Sequence, residues 1–112
     1  MTSEVKKIKK PWGYELLFAK TASYAGKVLV IHKGESLSLQ YHEKKEETIY
    51  LEEGLLEVEF GSEVKRLKPG DSLHIPPKKH HRMKALEDSR VFEVSTPELD
   101  DVVRLKDQYG RL

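Results

Sequence analysis

Gly34-Glu35-Ser36-Leu37-Ser38-Leu39-Gln40-Tyr41-His42-Glu43-Lys44-Lys45-Glu46-Glu47 is the stretch on which the fold turns. Side chains alternate faces along a strand, so residues two apart point the same way. Leu37, Leu39 and Tyr41 therefore share one face of the segment Ser36 to His42, and Ser38, Gln40 and His42 share the other. Gln40 and His42 can aim at one point. Glu47 lies five positions further on, past the charged turn Glu43 to Glu46, and must arrive from another strand. A site assembled in this way calls for a β scaffold with a concave interior.

The rest of the chain has the same grain. No long stretch carries apolar residues at helical spacing, and short strand-like runs broken by turn residues dominate. Lys27 to His32 reads as a buried strand and Thr48 to Glu52 as another. Leu56, Val58 and Phe60 alternate with Glu57 and Glu59, and Gly61-Ser62 turns that strand into Val64 to Leu67. Pro69-Gly70-Asp71 punctuates the next step. Ser72 to Ile75, His80 to Leu86 and Val91 to Ser95 complete about eight strands, with Pro76-Pro77 stopping one of them. Regular short strands with Gly and Pro turns indicate a sandwich or barrel. The tail from Pro97 to Leu112 reads as mixed, with one short helical turn. Trp12, Tyr14 and Phe18 read as core or interface packing.

Composition narrows the function classes. The chain has 112 residues, 38% hydrophobic and 35% charged, with a formal net charge of +1. One globular domain is expected, and the balance supplies no electrostatic case for nucleic acid or a membrane surface as partner. The chain has no cysteine, which removes disulfides, thiol nucleophiles and cysteine zinc sites and fits a cytoplasmic location. Met1 to Lys10 is polar and lysine-rich, unlike a signal peptide, and no run is long enough to span a membrane.

Far downstream stand His80 and His81. On a strand only one can face inward. His81 shares its face with Met83 and Ala85, and His80 goes with the polar Arg82 and Lys84, so His81 is the better ligand. Gln40, His42, Glu47 and His81 then form a mixed N and O donor set suited to a divalent Zn, Fe, Mn, Co or Ni ion. From spacing alone, the plainer reading leads: Gln40 and His42 as the polar face of a surface strand, Glu47 as a solvated charge, and the run around His81 as a basic rim with no metal. Lys78, Lys79 and Arg82 can hold an anion at a cavity mouth or stand as a solvated charge run.

Taken together, these residues resemble the two motifs of the cupin superfamily. Gly34, Gln40, His42, Glu47 and Gly54 match the first, with Gln40 where the family has a histidine. Gly70, Pro76 and His81 match the second, with Lys78 and Ala85 in place of a glycine and an asparagine. A closer likeness is to type II mannose-6-phosphate isomerases, which also occur as the C-terminal domain of mannose-1-phosphate guanylyltransferases. It is carried by Pro11-Trp12-Gly13-Tyr14, by Ser36 to His42, and by Asp101-Val102-Val103-Arg104-Leu105-Lys106-Asp107-Gln108-Tyr109-Gly110-Arg111. Lys45 stands where that family has arginine, and Ile49 where it has tryptophan.

The resemblance implies an all-β, single-domain double-stranded β-helix, or jelly-roll barrel. Residues 1–26 are then an N-terminal arm or edge strands, 27–95 the barrel core and 96–112 a tail. It implies one divalent metal, zinc first, on Gln40, His42, Glu47 and His81, and a homodimer with the N-terminal segment as a contact. The expected activity is aldose–ketose isomerisation of a sugar phosphate. Lys45, Glu93 and Arg104 are the candidate proton-transfer groups, and Lys78, Arg82 and Arg104 the candidate phosphate ligands. A non-catalytic sugar-binding protein and an iron-dependent dioxygenase are the rival functions.

Overall fold

The computed structural model describes residues 1–112 and consists of eleven strands with no helix. Six of them form one antiparallel sheet. These are β1 (Lys6–Lys10), β2 (Gly13–Lys20), β3 (Ala25–Ile31), β10 (Ser89–Ser95), β5 (Glu47–Glu53) and β8 (Ser72–Ile75), in that spatial order. The other five form a second sheet. Its order is β11 (Val103–Lys106), β4 (Leu39–Tyr41), β9 (His81–Ala85), β6 (Leu56–Phe60) and β7 (Glu63–Leu67). The all-β architecture expected from the sequence is present. The two sheets are separate hydrogen-bonded units and do not close into a continuous barrel.

Alternation accounts for the core. Leu29 and Ile31, Ile49 and Leu51, Leu56 and Val58, and Met83 and Ala85 sit two apart on their strands and are buried between the sheets with Trp12, Leu67, Ile75 and Val91. Two glycines carry turns that no other residue fits. Gly54 has φ of 104°, and a Cβ there would lie 2.3 Å from Ser89 Oγ and 2.4 Å from the Asp88 carbonyl. Gly13 has φ of 152°, and a Cβ would lie 2.0 Å from the Val30 carbonyl oxygen.

The structure corrects several sequence expectations. The tail has no helical turn; it supplies β11, which pairs Val103 with Tyr41 and Arg104 with Gln40. The segment Ser36 to His42 is strand only over Leu39–Tyr41. Its earlier part still lies along β9 through an isolated bridge from Ser36 to Lys84 and a hydrogen bond from the Leu37 amide to the Met83 carbonyl. In the N-terminal region β1 is an edge, but β2 lies inside the sheet between β1 and β3. The aromatic stripe also splits. Trp12 is buried, whereas Phe18 is 42% exposed and lies over Gly26. No helix is long and apolar enough to cross a membrane.

Candidate metal centre

Three strands bring His42, Glu47 and His81 together. His42 directly follows β4, Glu47 opens β5 and His81 opens β9, and all three are buried. Their donor atoms lie within 4.8 Å of one another. His42 Nε2 is 3.0 Å and His81 Nε2 is 3.5 Å from Glu47 Oε1. Each imidazole is turned by its other nitrogen. His42 Nδ1 lies 2.5 Å from the Asp101 carbonyl oxygen, and His81 Nδ1 lies 2.8 Å from that of Lys79. A carbonyl only accepts, so both Nδ1 atoms carry hydrogen and donate, and in the neutral ring Nε2 is bare.

That arrangement fits a metal ion. A bare imidazole nitrogen and a carboxylate oxygen repel each other unless a cation lies between them. Glu47 Oε2 and His81 Nε2 are, moreover, buried with no hydrogen-bond partner. Unpartnered buried polar atoms are uncommon and call for an explanation. Backbone carbonyls that orient ligating histidines are the usual outer layer of metal sites. Two histidines and a carboxylate suit Zn, Fe, Mn, Co or Ni.

In front of His42 opens a cavity with about 560 Å³ of atom-free space, its mouth included. Its charges are sharply arranged. Glu15 is buried and paired with Lys10 at 3.2 Å and Lys27 at 2.9 Å. Lys45, also buried, donates to Glu93 Oε2 at 3.1 Å. Burial and the charge of Glu47 push the Glu93 carboxyl up to about 8. Arg111 is held by both carboxylate oxygens of Asp107, at 2.9 Å each. Asp107 is in turn drawn down to about 2, chiefly by that hydrogen bonding. Arg104 lines the cavity with no carboxylate partner, and its Nε is buried without a hydrogen bond.

A family model described as "Cupin domain" matches residues 27–95. The chain is a cupin. Two curated relatives align with almost all of it. Mannose-1-phosphate guanylyltransferase ManC of Salmonella typhimurium is 31% identical over 112 residues, 96% of this chain and 23% of that protein. Xanthan biosynthesis protein XanB of Xanthomonas campestris is 33% identical over 111 residues, 95% of this chain and 24% of that protein. This cupin thus spans about a quarter of the length of those relatives. Among solved structures, KdgF from Halomonas sp. superposes with a TM-score of 0.76 at 27% identity, covering 88% of this chain and 91% of that one.

Of the residues the sequence singled out, this cupin brings Gln40, His42, Lys45, Glu93 and Arg104 to one cavity. Glu47 and His81 sit beside His42 in the triad. Gln40 pairs with His81 in register, and its Oε1 accepts from Ser38 Oγ at 2.8 Å. Lys78 and Arg82 are not brought to this cavity. Arg82 lies on the opposite face of β9 from His81, in a separate crevice with Glu57 and Glu59, and donates to the Lys106 carbonyl at 3.3 Å. Lys78 is exposed. Its contribution is its backbone, which adopts φ of 67° and donates an amide hydrogen to the His42 carbonyl at 2.6 Å. His32, His74 and His80 are exposed, as their strand positions imply.

Sequence reasoning missed Lys10, Glu15, Lys27, Asp101 and Arg111. For Glu15 the available signal pointed the wrong way. Tyr14, Leu16 and Phe18 are the more apolar set on β2, yet Glu15 is the buried residue and Phe18 is exposed.

Proposed function

We propose that this cupin is a metal-dependent isomerase acting on a phosphorylated aldose or ketose, in the manner of mannose-6-phosphate isomerases. The observation that carries the proposal is the buried Lys45–Glu93 pair standing beside the metal triad in a cavity whose unpaired cation is Arg104. His42, Glu47 and His81 would hold the metal, with Gln40 as a proposed fourth donor and zinc as the first metal to test. When bound, such an ion polarises a substrate carbonyl and orients the neighbouring hydroxyl.

The remaining steps belong to the chain. Glu93, as carboxylate, takes the proton from the carbon next to the carbonyl, giving an enediolate. The same carboxyl returns that proton to the former carbonyl carbon while the hydroxyl proton passes to the former carbonyl oxygen, so no co-reactant is consumed. Lys45 keeps Glu93 oriented and, being cationic, favours the carboxylate form. Arg104 receives the phosphate through charge-assisted hydrogen bonds. The test is conversion of mannose-6-phosphate to fructose-6-phosphate by metal-loaded protein. Turnover is expected, with its loss in Glu93→Gln. No turnover above a His42→Ala control overturns the proposal.

Two histidines and one carboxylate are also the ligand set of non-haem iron oxygenases. Oxygen consumption with Fe(II) and no isomerase activity would favour that second reading. We further propose a homodimer through the outer face of the six-stranded sheet. Phe18, Tyr50, Phe92 and Val94 are exposed there. Light scattering that gives only monomer mass at every concentration would exclude it.

A further inference from the structure

We infer that Asp101 is a positioning residue for the metal centre, holding His42 in its ligating orientation and making the tail a working part of the site. The inference rests on His42, Glu47 and His81 being metal ligands. Asp101 uses both halves of itself. Its carbonyl accepts the His42 Nδ1 hydrogen at 2.5 Å. Its carboxylate accepts three consecutive amide hydrogens, from Glu43 at 3.0 Å, Lys44 at 2.7 Å and Lys45 at 2.9 Å. Those amides follow directly on His42. The side chain therefore grips the turn that leaves the histidine, while the main chain grips its ring.

The geometry has two consequences. The imidazole cannot rotate without breaking its own hydrogen bond or dragging a carbonyl that three others hold. The turn between His42 and Glu47 is fixed as well, and with it the spacing of two ligands. The turn residues Glu43, Lys44 and Glu46 are exposed, and of the turn only Lys45 is buried, through its ion pair with Glu93. His81 has no such dependence, since the carbonyl that orients it belongs to Lys79, two residues away. The carbonyl that orients His42 lies 59 residues away, beyond β10. Docking of the tail and metal binding are thereby coupled, and each favours the other by the same factor.

Asp101→Asn keeps the main-chain carbonyl and the side-chain size, but turns an amide donor toward backbone donors. Co²⁺ binding, read by chelator competition and by the visible spectrum on protein shown folded by circular dichroism, should weaken by about 10- to 100-fold with altered bands. Thr96→Ala is the comparison. It removes another tie between the same turn and the end of β10, the Glu46 amide bond to Thr96 Oγ1 at 2.9 Å, without touching His42. It should leave Co²⁺ affinity and spectrum unchanged. In the wild-type chain, Co²⁺ should slow hydrogen exchange at the amides of Glu43, Lys44 and Lys45, a readout that needs no variant. Wild-type affinity and spectrum in Asp101→Asn, an equal loss in Thr96→Ala, or unchanged exchange at those amides each overturn the inference alone. Failure of the wild-type chain to bind Co²⁺ overturns the metal reading beneath it.

Discussion

Replacing Arg104 by methionine should weaken binding of a phosphorylated sugar and leave the fold as stable or more so. Arg104 is the cavity cation with no carboxylate partner, and its Nε is buried without a hydrogen bond. A hydrogen bond to a charged group contributes about 1.5–3 kcal/mol, so losing one lowers affinity roughly 10- to 150-fold. The unpartnered Nε works against the ligand-free protein, because a buried unsatisfied donor costs about 1–3 kcal/mol. Removing it relieves that cost, and each kcal/mol is about 4 °C in melting temperature for a domain of this size. Arg111→Met supplies the contrast. It deletes a cation from the same cavity but strips Asp107 of both side-chain hydrogen bonds from Arg111, so its melting temperature should fall. Calorimetric titration with mannose-6-phosphate and with unphosphorylated mannose, beside thermal melts without ligand, measures all of this. The reasoning is refuted if Arg104→Met binds the phosphorylated sugar within about twofold of wild type, or if it melts lower than Arg111→Met.

Three further outcomes are expected. Protein purified without added metal, or reloaded with zinc, should carry about one equivalent by elemental analysis, and Glu47→Gln should carry almost none; less than about half an equivalent in wild type contradicts the ligand assignment. Lys78→Gly should raise stability by up to about 1 kcal/mol in denaturant melts, because the left-handed backbone at φ of 67° is strained for lysine and free for glycine. It should also leave sugar-phosphate affinity unchanged, whereas a large loss would restore Lys78 as a phosphate ligand. Asp107, drawn from 3.8 down to about 2, contributes stability that is fully present above its unfolded pKa and disappears as pH falls through the folded one. Asp107→Asn should be less stable than wild type near neutral pH, with the gap closing between about pH 4 and pH 2; a gap that stays constant over that range counts against the Arg111 pairing.

Much of the architecture was legible in the chain because β structure has a period of two. That period put Gln40 with His42 on one face and chose His81 over His80 by the company of Met83 and Ala85. The same parity already assigned Arg82 to the face away from His81, so its proposed phosphate role conflicted with its own strand position. The tail was harder to read. Residues 97–112 lack clear alternation, and β11 exists because it pairs with β4.

By itself the sequence determined that the protein is built of strands, where the turns fall, and which side chains could share a metal, since these depend on alternation, glycine and proline over a few residues. Only the tertiary structure decided which face of β2 is buried, that Lys45 meets Glu93 across 48 residues, and that Asp101 orients His42 across 59. It alone left Arg104 without a salt bridge. Charge pairing and burial depend on which sheet packs on which, and residues brought together by packing leave no periodic mark in the chain.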